Sequence, residues 1–199
     1  MTAPADTRMH RPEAIAAARS FIARLDGTYD QLIVGGSLRR RLAYVHDVEI
    51  VAVPRTAPVT IDLLDEQIVV RDLLDERMAD LLDAGTVEKR LDRNGVPRWG
   101  PLLKYLVYDG VRIDLATPCA ERLGWILLLR TGPAAFSRQL VVERGRKTKD
   151  GRPGLRPEHI VSADGWLTYR RSGERIPTPT EQDACMVLGI PYADPWERT

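Results

Sequence analysis

Leu32-Ile33-Val34 runs directly into Gly35-Gly36-Ser37, and ten residues after Ser37 a second apolar run, Asp47 to Val53, opens with Asp47 and Glu49. No other part of the chain constrains the fold as tightly. Carboxylates at i and i+2 of a strand share one face. They repel each other unless a cation lies between them. A glycine–serine turn that opens a helix presents backbone N–H groups to a phosphate. A basic segment, Leu38 to Leu42, separates the two features. Together they read as a phosphate cradle beside a divalent-cation site, the combination that nucleotidyl transfer requires.

The 199 residues suffice for one domain or two small lobes, and 44% hydrophobic content is enough for a packed core. No apolar run approaches the roughly 18–20 residues of a membrane span. Met1 to Arg11 has no apolar segment of the kind a signal peptide needs, so a cytoplasmic (including nucleoid-associated or virally encoded) protein is expected. Cys119 and Cys185 are the only cysteines, which excludes a cysteine-based zinc site and a disulfide framework; both read as buried thiols. The net charge of +1 is unevenly distributed. Asp62 to Asp83 carries eight acids against two bases, and Arg138 to Arg175 ten bases against five acids. A basic C-terminal half beside an acidic face is consistent with a polyanion held on one side, or with an ordinary solvated surface.

Pattern and punctuation divide the chain into elements. Arg11-Pro12-Glu13 opens a helix, with Pro12 near the first position. Ile15, Ala16, Phe21, Ile22 and Leu25 form its stripe, and Gly27 ends it. Gln31–Val34 and Val48–Val53 read as strands, and Pro54–Pro58 as a turn. Part of Asp62–Leu82 is expected to be helical. Val87–Leu91, Leu102–Tyr108 and Val111–Leu115 read as strands, the last two joined by an Asp109-Gly110 type I′ turn. A boundary falls near Thr117-Pro118. Beyond it Cys119–Leu129 and Ala134–Glu143 read as helices and Lys147–Pro157 as a loop. Trp166–Arg170 with Glu174–Ile176 reads as a small hairpin. Thr180–Leu188 is a short helix capped by Thr180, with Asp183 three residues on. The fold class is therefore α+β.

A third acid completes the chemistry. In Arg112-Ile113-Asp114-Leu115 the apolar residues alternate with Arg112 and Asp114, turning Asp114 away from the core face. If this strand lies beside the one carrying Asp47 and Glu49, three carboxylates converge. Such a set suits two hard cations with oxygen ligands, Mg²⁺ or Mn²⁺, which would clamp the attacking and leaving oxygens of an in-line displacement. Gly36 and Ser37 would hold the triphosphate, with Arg40 one helical turn on in bidentate reach. His10, His46 and His159 have no metal-ligand spacing.

These residues resemble the signature of the polymerase-β-like nucleotidyltransferases, and the rest of the chain narrows the likeness. Gly36-Ser37-Leu38-Arg39-Arg40 looks like the Gly-Ser-Phe-Arg-Arg of family X DNA polymerases. Arg8 to Glu13 is similar to the segment that opens their palm domain, and Val111 to Asp114 to their third-aspartate strand. Gly124 to Gly132, followed by Phe136, looks like the start of their thumb. Gly173, Thr180-Glu181, Leu188 to Tyr192 and Pro195 to Arg198 resemble their C-terminal end. The resemblance implies a nucleotidyltransferase palm (a mixed or antiparallel sheet with flanking helices) over residues 1–118 and a small α/β thumb over 119–199. It implies Asp47, Glu49 and Asp114 as catalytic metal ligands, with Asp114 helping to activate a primer 3′-hydroxyl. Gly36, Ser37, Arg40 and Arg11 would contact the incoming dNTP, with Thr131-Gly132 against its sugar. Arg112 would sit near the primer terminus, and Arg138, Lys147 and Lys149, with Arg144, Arg146 and Arg152, would contact phosphates of primer-template or gapped DNA. The enzyme is expected to be a monomeric, minimal palm-plus-thumb polymerase.

The chain departs from that pattern at informative places. Glu49 stands where the polymerases usually have Asp. Leu129-Arg130 replaces the aromatic pair before Thr-Gly, and Ser137 and Val141 replace the residues that probe the nascent base pair. A nucleotidyltransferase with an RNA, protein or small-molecule acceptor, and a non-catalytic nucleic-acid binder, remain as alternatives.

Overall fold

The computed structural model describes residues 8–60, 68–92 and 94–198. Its core is a five-stranded sheet. A two-residue β1 (Met9–His10) leads into α1 (Arg11–Arg24), and β2 (Tyr29–Val34) follows. The single helical turn α2 (Gly36–Arg39) and short β3 (Tyr44–Val45) precede β4 (Val48–Pro54). β5 (Thr56–Thr60) and β6 (Ile68–Asp72) form a separate antiparallel ribbon before α3 (Leu73–Asp83) and the edge strand β7 (Glu88–Lys89). β8 (Leu103–Tyr108) and β9 (Val111–Ala116) complete the sheet, whose order is β2-β4-β9-β8-β7. Only the β4–β9 pairing is parallel within it.

Alternation explains how the sheet is covered. Val48, Ile50 and Ala52 of β4, with Ile113 and Leu115 of β9, face one apolar cluster with Ala14, Ala18 and Phe21 of α1 and Leu74 and Met78 of α3. The opposite face places Val51, Val53 and Ala116 against Leu123 and Leu127 of α4 (Leu123–Thr131). α5 (Ala134–Val141), the three-stranded sheet β10 (Ile160–Ala163), β11 (Trp166–Tyr169) and β12 (Arg175–Ile176), and α6 (Glu181–Leu188) complete the chain. Trp125 and Leu128 of α4 turn into a further cluster with Leu140, Leu167, Ala184 and Leu188. α4 therefore belongs to two cores at once. Among the described residues no helix is long and apolar enough to cross a membrane.

The local signals were followed closely. Asp109 and Gly110 both take positive φ, 51° and 75°, as a type I′ turn requires. Thr180 and Asp183 cap α6 reciprocally: the Asp183 N–H donates to the Thr180 hydroxyl (3.2 Å) and the Thr180 N–H to the Asp183 carboxylate (3.0 Å).

Other expectations need correction. The buried face of α1 is Ala14, Ala18 and Phe21, and Ala16 is not part of it. Small residues at i and i+4 let the helix lie close on the sheet. Pro54–Pro58 is not a turn, because the chain stays extended from β4 into β5. Proline tolerates such edge and strand-terminal positions. The Asp62–Leu82 expectation falls partly outside the described residues, and its later part is β6 and α3. A strand at Ile160–Ala163 was missed; Asp164-Gly165, with φ of 50° and 75°, joins it to β11 through the same turn chemistry. Cys119 is exposed, since it caps a surface 3-10 turn after Pro118, while Cys185 is buried.

Candidate active site

Glu49 and Asp114 stand side by side. The parallel register of β4 and β9 pairs Glu49 with Asp114, on strands spaced about 4.8 Å apart. Both occupy the face that α4 covers at Val51, Val53 and Ala116, and they continue that face beyond the apolar contact. Asp47 lies in the bend just before β4 rather than within the strand. It remains close enough to act on both other acids. Burial first, then the Asp47 carboxylate, pushes the Glu49 carboxyl up to about 8. Burial also raises the Asp114 carboxyl above the ordinary range; the Arg90 guanidinium opposes this, while Asp47 adds to it.

The Gly35-Gly36 turn is pressed onto Glu49. The Gly35 N–H donates to the Glu49 carbonyl at 2.7 Å. Gly36 has φ +62°, and a Cβ there would overlap the Glu49 carboxylate oxygen Oε2. Only glycine satisfies both the left-handed backbone and the close approach. Arg40, at the end of α2, is half-buried and electrostatically coupled to Glu49. Its Nε is buried without a hydrogen-bond partner, and the Nε of Arg11 shares this property. Arg11 and Arg39 line a cavity of about 210 Å³ floored by Ile15, Ile22, Val34 and Leu38. Ser37 is half-buried in the same turn.

Two arginines face Asp114. Arg90 hydrogen-bonds and ion-pairs with Oδ1 of Asp114. Arg130, at the C-terminal end of α4, stands 3.7 Å from Oδ2 of the same carboxylate. Among the described residues no three His, Cys, Asp or Glu side chains are grouped so as to hold a metal ion together. The two strands do lie side by side, the condition on which the convergence of the acids rested. The acids are neighbours, but guanidinium groups supply the opposing charge. The donor set still fits a hard divalent cation. It offers carboxylate oxygens alone, and Glu49 is buried among like charges that a cation would offset.

Thr131 is fully buried and its hydroxyl accepts from Arg39 at 3.1 Å. The Thr131 side chain thus holds α4 against α2, which leaves the backbone of the Thr131-Gly132 turn as the part that would face a sugar. The Gly132 N–H donates to the Leu128 carbonyl at 3.3 Å, leaving Gly132 half-buried beside Phe136. Arg39 also pairs with Glu181 at 2.8 Å, and Arg198 takes the other Glu181 oxygen at 2.7 Å. Sequence reading missed this network. An acid at the first position of α6 looks like ordinary helix-end charge.

The expected nucleic-acid contacts divide into two groups. Lys147 and Lys149 are exposed on the loop after α5, around a buried Thr148 that hydrogen-bonds Asp150 and Arg152. Arg112 is half-buried on the Asp114 face of β9. Arg138 pairs with Asp150 at 3.0 Å. Arg144 donates to the Leu155, Leu188 and Gly189 carbonyls, tying α6 to the loop after α5.

No family model matches the chain, and no curated protein matches it.

Proposed function

We propose that this chain is a nucleotidyltransferase of the family X DNA polymerase type, adding a dNMP from a dNTP to a primer 3′-hydroxyl to fill short gaps in DNA. The observation that carries the reading is the register of Glu49 with Asp114 directly beneath the Gly36 turn. Two carboxylates, a glycine turn and the Arg40 guanidinium then lie within one patch, as phosphoryl transfer demands.

In this reading residues 1–118 are the palm and 119–199 the thumb. Asp47, Glu49 and Asp114 would hold two Mg²⁺ or Mn²⁺ ions, which would neutralise phosphate charge and polarise the attacking hydroxyl. The Gly36 turn, Ser37 and Arg40 receive the triphosphate oxygens, and Arg11 supplies a further guanidinium. Asp114 orients the primer hydroxyl and takes part in removing its proton. The 3′-oxygen bonds to the α-phosphorus as pyrophosphate leaves. Arg112 neighbours the primer terminus, and Lys147, Lys149 and Arg138 grip the backbone without reading sequence.

A second reading, transfer to an RNA, protein or small-molecule acceptor, is favoured by one observation. Arg138, Arg144, Arg156 and Arg170 are all engaged in internal contacts, which reduces the basic surface open to DNA.

The test is primer extension on a one-nucleotide-gapped duplex with Mg²⁺ or Mn²⁺ and each dNTP singly. Addition of only the template-complementary nucleotide, abolished by Asp114→Ala, is the expected result. No addition with either metal would sink the polymerase reading.

A further inference from the structure

Arg90 reaches Asp114 by an unusual route. It follows the edge strand β7, and its backbone N–H donates to the Tyr105 carbonyl at 2.9 Å. Tyr105 lies on β8 directly opposite Asp114 in the antiparallel register. The Arg90 guanidinium passes over the Tyr105 ring, 4.7 Å from its centroid, and ends on Oδ1 of Asp114. The Arg90 side chain is 18% exposed and that of Asp114 9%, so the pair is largely desolvated. Arg130 approaches the other oxygen, Oδ2, at the looser distance of 3.7 Å.

We propose that Arg90 is a resident counter-ion that competes with the divalent cation for Asp114, so that cation binding requires Arg90 to leave the carboxylate. The proposal rests on the nucleotidyltransferase reading and adds a control of cation occupancy to it. Three points support the exchange. A guanidinium and a hard cation seek the same Oδ1 lone pairs. A cation taking Oδ1 would restore the charge that Arg90 withdraws from the largely buried Asp114, where Arg130 alone stands at the looser 3.7 Å. The Tyr105 ring offers Arg90 a cation–π contact that survives release, which lowers the cost of leaving. The device keeps the acid pair compact when no cation is present and sets a threshold concentration for occupancy. Arg90 is thus a positioning residue, acting through Asp114.

Mn²⁺ binding measured by electron paramagnetic resonance, without nucleotide or DNA, tests this in wild type, Arg90→Met, Arg90→Lys and Asp114→Asn. Arg90→Met is expected to bind Mn²⁺ about tenfold more tightly than wild type, equivalent to about 1.4 kcal/mol. Arg90→Lys is expected to fall between them and Asp114→Asn below wild type. Equal affinity in wild type and Arg90→Met, both reduced by Asp114→Asn, overturns the proposal and leaves the nucleotidyltransferase reading intact. No Mn²⁺ binding by any form overturns both. Should Arg90→Met fail to fold, the wild-type Arg90 Nε–Hε resonance decides. A shift on Mg²⁺ titration supports the exchange, and a resonance unmoved at saturation overturns it.

Discussion

Gly36 and Glu49 are packed so closely that the turn has no room for a side chain: a Cβ on Gly36 would overlap Oε2 of Glu49. The turn and the acidic strand are therefore one unit. Whatever binds one is felt by the other.

Gly36→Ala is the first consequence. It combines a left-handed backbone at φ +62° with a collision against Glu49. The strain of the backbone alone costs about 1–3 kcal/mol. The expected outcome is a lower melting temperature together with loss of nucleotide binding, read by thermal shift with and without dNTP and Mg²⁺. Gly36→Ala combined with Glu49→Ala should regain part of the stability and none of the activity. Full additivity of the two changes would contradict the contact.

Stability without divalent cations should fall as pH rises. The Glu49 carboxyl is raised to about 8 in the folded chain, chiefly by burial, against about 4.3 unfolded. A raised carboxyl contributes stability that is complete below the unfolded value and lost as pH passes through the folded one. The window is therefore from about 4.3 to about 8, and the difference across it is on the order of a few kcal/mol. Asp114, raised in the same direction, adds to it. Urea denaturation in a chelating buffer from pH 5 to 9 measures the slope. Glu49→Gln should flatten it, and an unchanged slope in that variant would remove Glu49 as the cause.

Glu181 is expected to be structural. It is 4% exposed and clamped between Arg39 and Arg198. Glu181→Ala leaves Arg198 buried without its partner and should cost about 3–5 kcal/mol. Replacing Glu181 and Arg198 together with apolar residues should cost much less. Equal losses in the single and double variants, by chemical denaturation, would contradict this.

Gly124→Ala should be as damaging as a large core change. A Cβ there would overlap the Thr180 carbonyl, and the Gly124 N–H donates to the Thr178 carbonyl at 2.8 Å. Backbone must move, at about 1–3 kcal/mol. Primer extension per folded molecule should change little, whereas the melting temperature should drop.

Much of the secondary structure was legible in the chain alone. Asp109-Gly110, Thr180 with Asp183, Pro12 and the alternation through β4 and β9 each act over a few residues, so local chemistry decides them. The same signal at Asp164-Gly165 was present but lay outside the expected hairpin. Glu49, Asp114 and Gly36 could also be singled out in the chain by residue type, and the fold makes them neighbours.

What only tertiary structure decided was which groups meet. The parallel pairing of β4 with β9 places Glu49 against Asp114, and no local pattern encodes a pairing so distant in sequence. The same holds for Arg90 crossing Tyr105 to Asp114, for Arg130 arriving from the end of α4, and for Arg39 taking the Thr131 hydroxyl. Arginine is long and seeks the nearest unmet carboxylate or carbonyl that the packed fold presents, and its partner is settled only once the sheet and α4 have closed on one another.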